Sequence, residues 1–408
     1  MRILLVHRYF WPDTPPYASM LLAIARKLVN DGHQVEVISS QPSYKSVDML
    51  SKESSEEIID GVKIKRFSLF QENRRNSIFR LINFFYFPLR VFFYICFNKK
   101  IDVVMSSTSP PVVTGFSCAI AAKIINSKFV YHCMDLHPEI GFISGEFSNP
   151  FIYKMLLKLD LISCNLASIV VILSKDMQES LLRRPGIKQD NFKIINNFSL
   201  SILESVKQKI PSKFKKKENT FRILFAGNIG RFQMLESFID AMDLLKNFHD
   251  IELVFLGEGA ALNSLKKRAD GNKRIKFFPH QKLNIAKQII SESDLGIVSL
   301  LNDVYKYAFP SKTMAYLSEG CPLLVAIESK SELFRFVVTN KIGFSVLPNN
   351  PNLIANSIIY AKTSPKLMEK ISQNCMKVSE QQFSESFGLN EISHLFQELT
   401  IKQNVNKL

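Results

Sequence analysis

The feature that most constrains the fold is a strand–turn–helix pattern near the middle of the chain. The apolar run 223–226 ends in Gly227, and the turn 228–230 leads into a helical pattern. Glycines at such a turn let the backbone approach a phosphate, and free N–H groups at the following helix N-terminus can bind an anion. Arg231, directly after the turn, adds a guanidinium suited to phosphate oxygens. The pattern predicts an α/β nucleotide site.

A second basic turn, 310–313, stands at the start of another predicted helix. Two cationic helix N-termini in one domain can bind two phosphates, so we predict a diphosphate site. Its residues are Gly227, Asn228, Gly230, Arg231, Ser311, Lys312 and Thr313. The alternatives are that the glycine turn is only a tight connection and that Arg231 and Lys312 are solvated surface residues.

Strand and helix patterns alternate along both halves of the chain, which predicts an α/β fold with parallel sheets. Predicted strands are 2–7, 33–39, 62–67, 102–106, 129–133, 169–173, 193–195, 222–226, 251–256, 274–277, 294–299 and 322–326. Predicted helices are 17–30, 111–126, 150–165, 175–183, 232–247, 260–269, 284–291 and 311–319. We predict a first domain over 1–198, a linker over 199–220, a second domain over 221–380 and a C-terminal helical segment over 381–408.

Charge and cysteine usage narrow the class of protein. The net charge of +15 on 408 residues indicates an anionic partner, such as a phosphorylated substrate, an anionic lipid or a nucleic acid. The six cysteines show no metal-like spacing and predict a reduced cytosolic chain. The start, MRILLVH, is too short for a signal peptide and is predicted to be the first strand. No nucleic-acid motif accompanies the basic residues, so nucleic-acid binding ranks last.

Seven stretches, taken together, resemble one enzyme family over nearly the whole chain. They are YFWPDTPPYA, YHCMDLHPEI, ILSKDMQESL, KIINNF, FAGNIGRFQMLES, FLGEGAALNSL and PSKTMAYLSEGCPLL. The chain resembles the retaining GT-B glycosyltransferases of family 4, especially the bacterial WbuB-like group that builds O-antigen and capsule repeat units. The resemblance implies the GT-B architecture, in which two Rossmann-like domains face each other across a cleft. It also implies an acceptor in the first domain and a nucleotide-sugar donor in the second.

By this resemblance, Arg231 and Lys312 neutralise the donor diphosphate and stabilise the leaving nucleotide, so no metal cofactor is expected. The nucleotide is expected beside Gly257, Gly259, His280 and Gln281, with a plain surface turn as the alternative for the last two.

The chain departs from the family at one point. Members often carry two glutamates, eight positions apart, before the glycine that corresponds to Gly320; here those positions hold Tyr307 and Ala315. Since the second glutamate commonly binds the ribose, ribose recognition must differ in this chain.

Four titratable groups lie at or after the end of the predicted strand 129–133: His132, Asp135, His137 and Glu139. At the carboxyl edge of a parallel sheet, such a group is typical of a ligand site. We predict that Asp135 and Glu139 steer the donor sugar and polarise the acceptor hydroxyl, with His137 and His132 secondary. A metal site is the competing interpretation.

Asp13, in the proline-rich loop after the first strand, is a further catalytic candidate. The alternative is that it caps the helix that begins near Tyr17.

The stretch 73–100 is rich in aromatic and basic residues, with no acidic residue between Glu72 and Asp102. It is interrupted by Pro88, so we predict an interfacial helix or hairpin that does not span the membrane. The predicted contact residues are Arg80, Phe84, Phe85, Arg90, Phe92 and Phe93. The alternative is a helix pair packed inside the first domain.

The resemblance implies a retaining glycosyltransferase that moves a sugar from a nucleotide-diphosphate sugar to a saccharide on a polyprenyl diphosphate. It is predicted to be cytoplasmic and peripheral on the anionic inner face of the cell membrane. A nucleotide-sugar epimerase of the same fold is the alternative. The sequence names neither the nucleotide nor the sugar.

Overall fold

The computed structural model describes residues 1–13, 16–42, 53–72, 77–145, 149–188, 191–200 and 211–405. The chain divides into two compact units. The first combines Met1–Asn196 with Gly388–Leu408, and the second is Asn197–Phe387. The chain therefore passes between the units twice.

The first unit is built on an eight-stranded sheet in the part of the chain that is described, with strand order β3-β4-β2-β1-β5-β6-β7-β8. The strands are β1 (Arg2–Val6), β2 (Gln34–Ser40), β3 (Glu56–Ile59), β4 (Val62–Phe67), β5 (Val103–Ser107), β6 (Lys128–His132), β7 (Ile169–Ile172) and β8 (Phe192–Ile194). The central strands are apolar runs because helices cover both faces of a parallel sheet. Only β3, at the edge, pairs antiparallel among these strands.

Helices connect these strands and cover the sheet. They are α1 (Pro16–Asn30), α2 (Ser77–Phe97), α3 (Val113–Ile124), α4 (Glu139–Ile143), α5 (Pro150–Leu166) and α6 (Lys175–Leu182). The carboxyl ends of β1, β5 and β6 meet where the strand order reverses, which is the usual ligand position in such sheets.

The second unit contains a six-stranded sheet of order β11-β10-β9-β12-β13-β14, in which every pairing that the structure gives is parallel. The strands are β9 (Phe221–Ala226), β10 (Ile251–Leu256), β11 (Ile275–Phe278), β12 (Leu295–Ser299), β13 (Leu323–Ala326) and β14 (Gly343–Val346). The helices are α7 (Glu236–Leu244), α8 (Leu262–Arg268), α9 (Leu283–Ser291), α10 (Lys312–Ser318), α11 (Glu332–Asn340), α12 (Pro351–Lys362) and α13 (Pro365–Val378).

The C-terminal helix α14 (Glu385–Val405) begins at the end of the second unit and continues into the first. Its buried residues Ile392, Leu395, Phe396 and Leu399 are part of the core. The backbone oxygen of Leu399 accepts a hydrogen bond of 2.7 Å from Lys128 Nζ, and Ser393 Oγ donates one of 2.7 Å to Asp31.

The described residues at both ends of the predicted linker make hydrogen bonds to residues of the second unit. Phe214 is buried, and its carbonyl accepts from Arg222 Nη1 at 2.9 Å. Ser199 N donates to the Phe383 carbonyl at 2.8 Å. Residues 201–210, in the centre of the predicted linker, lie outside the described residues, as do Arg74 and Arg75 of the predicted membrane stretch.

One helix boundary was predicted wrongly. The helix after the Gly227 turn begins at Glu236 and not at 232, because Met234 has a left-handed backbone (φ 43°) that separates a 3₁₀ turn from α7.

The predicted membrane stretch has the helix form of the two forms predicted for it. Residues 77–97 are one continuous helix, which runs through Pro88, so the hairpin form and the alternative helix pair are wrong. One face of this helix is buried and the other is exposed. Its contact with a membrane stays a prediction.

Candidate active site

Two buried histidines lie at the carboxyl edge of the first sheet. His7 follows β1 and shares a hydrogen bond with Ser107 Oγ, at the end of β5. His132 ends β6, and its Nδ1 lies 2.9 Å from the hydroxyl of Tyr17, at the start of α1. The rings of His7 and Tyr17 meet edge to face, with centroids 4.7 Å apart. The four side chains form one buried polar network at the switch point of the sheet.

The two histidines of this network are neutral at pH 7. Burial, together with the nearby His132, lowers the pKa of His7 to about 3. Burial lowers the pKa of His132 to about 4. The network therefore offers hydrogen-bonding groups without charge, which suits a sugar hydroxyl better than a phosphate.

Asp135 lies in the loop after β6 and is half-buried. Loss of surrounding water raises the pKa of this carboxyl to about 6. No ion-pair partner faces it in the described part of the chain. His137, two residues on, has a pKa lowered to about 4, by burial first and by the Arg184 charge second. Its Nδ1 is buried and has no hydrogen-bond partner among the described residues.

Glu139 is held differently, by the buried guanidinium of Arg184. Arg184 Nε donates to Glu139 Oε1 at 2.9 Å, and Nη2 donates to Oε2 at 2.6 Å and to the His137 carbonyl at 3.0 Å. Nη1 donates to Asp160 Oδ2 at 2.5 Å, and the other Asp160 oxygen accepts from Tyr131 at 2.7 Å. Arg184 thus engages both oxygens of Glu139 and ties this carboxylate to the loop, whereas Asp135 forms no ion pair among the described residues.

Asp13 is buried, and its backbone N–H donates to the Phe10 carbonyl at 2.9 Å. Residues 14 and 15, which separate it from α1, lie outside the described residues. Both interpretations of Asp13, the catalytic group and the helix cap, stay predictions.

In the second unit, the two glycine turns pack against each other through their backbones. Ile229 N donates to the Glu258 carbonyl at 2.8 Å, and Ala261 N donates to the Ile229 carbonyl at 3.0 Å. A Cβ on Gly257 would lie 1.9 Å from the Gly227 carbonyl oxygen, and one on Gly259 would lie 2.2 Å from the Ile229 carbonyl oxygen. Gly257 and Gly259 are therefore required for this packing, whatever else they contact.

Lys312 begins α10 and lies over Gly227. Its Cε is 3.7 Å from the position of a Cβ on Gly227, and its Nζ is 4.1 Å from the ring centre of Phe225. Burial lowers the pKa of this lysine to about 7. Tyr316 anchors the helix to β9, since its hydroxyl donates to the Leu224 carbonyl at 3.2 Å and accepts from Ala226 N at 2.8 Å.

The other predicted diphosphate residues surround this contact. Arg231 and Asn228 are exposed, and Arg231 forms no ion pair within the described part of the chain. Ser311 is exposed, whereas Thr313 is fully buried and its hydroxyl has no hydrogen-bond partner among the described residues. The two glycine turns and the start of α10 thus meet at the carboxyl end of β9.

The remaining nucleotide candidates lie at the end of β11. His280 is exposed, and Gln281 Nε2 donates to the carbonyl of Pro279 at 2.9 Å. Glu319, the carboxylate nearest in sequence to the missing family glutamates, pairs with Lys287 at 3.3 Å. It is therefore not free to replace the ribose-binding group.

Several residues of these clusters gave little signal in the sequence. Arg184, His7 and Ser107 belong to none of the stretches that resemble the family, and Tyr17, which lies in one of them, was not singled out. Asp160 could have been identified from the sequence, because it is the only acidic residue in the apolar helix α5. A single carboxylate on a helix with a buried face needs a partner. In the described residues, no group of three or more His, Cys, Asp or Glu is arranged to bind a metal ion.

Comparison with known proteins matches both units to glycosyltransferases. Residues 18–198 match the family described as Glycosyltransferase Family 4, and residues 206–378 match the family described as Glycosyl transferases group 1. The chain is a glycosyltransferase of group 1 and family 4. The predicted enzyme class and family are therefore confirmed.

Two relatives give the range of similarity. The glycosyltransferase is 26% identical over 266 residues to the probable glycosyltransferase WbjE of Pseudomonas aeruginosa, an alignment that covers 64% of this chain. It covers 66% of WbjE, just under two thirds of that protein's length. It is 22% identical over 390 residues to WcaI of Escherichia coli K12, a putative colanic acid biosynthesis glycosyl transferase, covering 90% of this chain and 93% of WcaI.

Solved structures support the fold. Sucrose-phosphate synthase from Thermosynechococcus elongatus matches with a TM-score of 0.76 at 13% identity, over 98% of this chain and 100% of that one. HepE from Anabaena, in complex with UDP, matches with a TM-score of 0.69 at 17% identity, over 98% of this chain and 100% of that one. The predicted class, an α/β protein of the GT-B type with two Rossmann-like units, is confirmed.

Proposed function

We propose that this glycosyltransferase moves a sugar, with retention, from a nucleotide-diphosphate sugar to a saccharide carried on a polyprenyl diphosphate. The product would be part of a bacterial surface polysaccharide. The observation that supports donor binding is the contact of Lys312 with Gly227, in which a lysine at a helix N-terminus lies beside a glycine turn. UDP and UDP-glucose complexes of HepE and the colanic acid role in the name of WcaI support the proposal.

The diphosphate is proposed to lie against Gly227, Asn228 and Gly230, between Arg231 and the 311–313 turn. Negative charge develops on the leaving oxygen as the glycosidic bond breaks, and preorganised cations there stabilise the transition state without a metal. Arg231 supplies a planar guanidinium whose N–H groups can donate to two phosphate oxygens. Gly257, Gly259, His280 and Gln281 are proposed to border the nucleotide.

Replacing Arg231 by Ala is expected to weaken nucleotide diphosphate binding roughly 10- to 100-fold, because a charge-assisted hydrogen bond to phosphate is lost. Nucleoside binding should change little, since the nucleoside lacks that phosphate. Titration calorimetry with UDP and with uridine measures both. Arg268→Ala is the matched control, because Arg268 is also exposed but pairs with Asp240 on the surface. Equal UDP affinity in Arg231→Ala and its parent would show that Arg231 is not part of the diphosphate site.

In the first unit we propose that Asp135 interacts with the reacting sugars, and that His137 and the His7–His132 network orient acceptor hydroxyls. A retaining transferase needs groups that stabilise a positively charged sugar and polarise the attacking hydroxyl. Asp135 suits this role because it is half-buried and has no ion-pair partner among the described residues. Glu139 contributes by holding the loop through Arg184.

Replacing Asp135 by Asn is expected to lower kcat by at least about tenfold with donor KM nearly unchanged, because the lost interaction forms mainly in the transition state. The parent should also lose activity below about pH 6, where Asp135 takes up a proton, and the variant should lack this acidic limb. Initial rates across pH measure both effects. Asp60→Asn is the control, since Asp60 pairs with Arg26 on the surface. An unchanged kcat in a folded Asp135→Asn variant would contradict the assignment.

We further propose that α2 docks the enzyme on an anionic membrane, where a polyprenyl-linked acceptor resides. One helix in the described part of the chain, Ile78–Phe97, is long and apolar enough to span a membrane by length and composition. Its residues Asn83, Phe87, Val91 and Ile95 are fully buried on one face, which ties the helix to the first unit. Docking by the opposite face, without spanning, fits this burial.

The predicted contact residues on α2 are not equally placed. Phe85 and Phe93 are exposed, as is Arg80, whereas Phe84 and Phe92 are half-buried. Arg90 packs inward, with its guanidinium 4.2 Å from the Phe67 ring centre and Nη1 donating to the Ser68 carbonyl at 3.1 Å.

One experiment tests the proposal as a whole. A thermal-shift panel of UDP, GDP, dTDP and CMP identifies the nucleotide, because a ligand that binds the folded state raises the melting temperature. The matching nucleotide sugars are then incubated with and without a polyprenyl-diphosphate saccharide. Transfer that requires the lipid acceptor supports the proposal. Conversion of the nucleotide sugar itself, with no acceptor present, would instead indicate an epimerase.

A further inference from the structure

We propose that the surface meeting the membrane is the whole helical layer α2, α3 and α5, and that the first turns of α5 form a second contact. The occupant is an anionic lipid bilayer. This inference deepens the membrane-docking part of the proposed function and rests on it. We refer to these three helices as the α2–α3–α5 layer.

The three helices lie side by side on one face of the first sheet. The chain moves in one direction across the sheet from β4 to β5, β6 and β7, through α2, α3 and α5 in turn. Because such crossovers are right-handed, all three helices fall on the same face. Helix α3 packs against both α2 and α5, which makes the layer continuous.

Each helix of this layer carries exposed apolar residues, most of them on α2. On α2, the exposed apolar residues recur at helical spacing: Ile78, Leu81, Ile82, Phe85, Leu89, Phe93 and Phe97. On α3, Ile124 is exposed. On α5, Phe151 is 78% exposed, and Ile152 and Met155 are exposed beside it, one turn into the helix. Exposed apolar surface of this extent, in one connected layer, indicates a binding surface.

The charge on the layer has one sign. Within the sequences of the three helices, the single acidic residue is Asp160, which is buried against Arg184 and so faces inward. Exposed basic residues stand on each helix: Arg80 on α2, Lys123 on α3, and Lys154 and Lys158 on α5. Glu72, before α2, pairs with Arg8. Glu146, before α5, lies outside the described residues.

The apolar and basic residues of the α2–α3–α5 layer together favour an anionic bilayer as its partner. Apolar and aromatic side chains with basic residues and no exposed acid suit the interface of an anionic bilayer, where each basic side chain is attracted and each apolar one inserts. A second copy of the chain fits less well. A two-fold interface would place the same basic surface on both sides, and like charges would face each other with no acidic partner.

The test compares α5 with α2 on the full chain. The α5 variant is Phe151→Ser/Met155→Ser, the α2 variant is Phe85→Ser/Phe93→Ser, and the matched control is Leu244→Ser/Val338→Ser. The control residues are equally exposed apolar residues on α7 and α11 of the second unit. All six side chains are at the surface, so folding should be preserved, and circular dichroism melting checks this. Binding to phosphatidylglycerol–phosphatidylcholine vesicles and to pure phosphatidylcholine vesicles is measured by flotation.

The parent should bind the anionic vesicles, and the α5 and α2 variants should each bind about tenfold more weakly, because each loses inserted apolar area. Lys154→Gln/Lys158→Gln should weaken binding by a similar factor at low salt and much less at high salt. The control should match the parent. Sedimentation equilibrium of the parent without lipid should show a monomer.

The remaining outcomes are distinguishable. If the α2 variant weakens and the α5 variant binds as the parent does, docking by α2 stands and the three-helix layer is wrong. If the parent binds neither vesicle, the membrane part of the proposed function fails as well. If the parent is a dimer that the α5 variant converts to monomer, the layer is a contact between copies and the lipid proposal is overturned.

Discussion

Replacing Arg184 by Met is expected to lower the free energy of unfolding of the first unit by about 3–5 kcal/mol, because two buried carboxylates lose the cation with which both of them pair. Arg184 is 6% exposed and pairs with Glu139 and Asp160, whose side chains are 11% and 3% exposed. Trp11, the single tryptophan of the chain, lies in the first unit. Its fluorescence during urea unfolding therefore reports on the unit that carries the change.

The neighbouring residue provides a matched control. Arg183 is largely exposed and pairs with Glu179 one turn away on the surface, at 3.6 Å. Such a pair contributes less than about 1 kcal/mol, so Arg183→Met should unfold almost as the parent does. If both variants unfold at the same urea concentration, the Arg184 cluster is not a stabilising element.

The pH dependence of the stability of the Arg184→Met variant tests whether uncompensated buried charge causes the loss. Burial raises the pKa of Asp160 even with Arg184 present, and removal of the arginine should raise it further. A carboxyl whose pKa is higher in the folded state binds its proton more tightly there, so protonation favours folding. Lowering the pH from 7 to 5 should therefore recover part of the lost stability. A deficit that stays constant over this range would point to lost packing and not to uncompensated charge.

Replacing Lys312 by Ala is expected to weaken nucleotide diphosphate binding by about 1.5–3 kcal/mol, roughly 10- to 100-fold, with nucleoside binding nearly unchanged. The ammonium lies over Gly227 and the Phe225 ring and has a pKa near 7. Titration calorimetry provides the measurement. Lys306→Ala is the matched control. Lys306 precedes Lys312 in the sequence and pairs with Asp303. If Lys312→Ala leaves the affinity for the nucleotide diphosphate unchanged, Lys312 is not part of the diphosphate site.

The same lysine should make binding depend on pH. A bound diphosphate favours the charged ammonium and raises its pKa above 7. Below pH 7 the lysine is already charged, so binding takes up no proton from solution. Above pH 7 binding requires a proton, and affinity should fall by up to tenfold per pH unit until the pKa of the complex is reached. Calorimetry at pH 8 in two buffers of different ionisation enthalpy measures this uptake, which Lys312→Ala should lack.

Periodicity predicted most of the elements because apolar runs and turn residues are local signals. Strands such as β4 and β10 begin and end at the predicted residues, since the alternating pattern of β4 and the largely apolar run of β10 are each bounded by polar or glycine residues. Helix α7 was predicted to begin too early because the left-handed conformation of Met234 has no sequence signature. Helices α11 to α13 were not assigned, although their patterns are as regular as others.

Sequence patterns likewise identified some residues of the candidate site and not others. Arg231 and Asp135 could be identified because each lies in the connection after a strand, and Lys312 because it lies at the start of a predicted helix. The role of Glu139 could not, because it depends on Arg184, which is 45 residues away in sequence and has no motif of its own. A pattern of acidic residues predicts that a carboxylate matters, but not whether it faces a ligand or a buried arginine.

The discontinuity of the first unit has a consequence for how the protein is made. Helix α14 completes that unit through Phe396 and Leu399 in the core and through contacts with Asp31, Lys128 and Lys193. During synthesis the N-terminal strands leave the ribosome first, yet α14 is translated only after the whole of the second unit. The second unit therefore has all of its residues available while the first still lacks the side chains that α14 adds to its core. Of the two units, the one whose synthesis begins first is the one that lacks part of its core for longer.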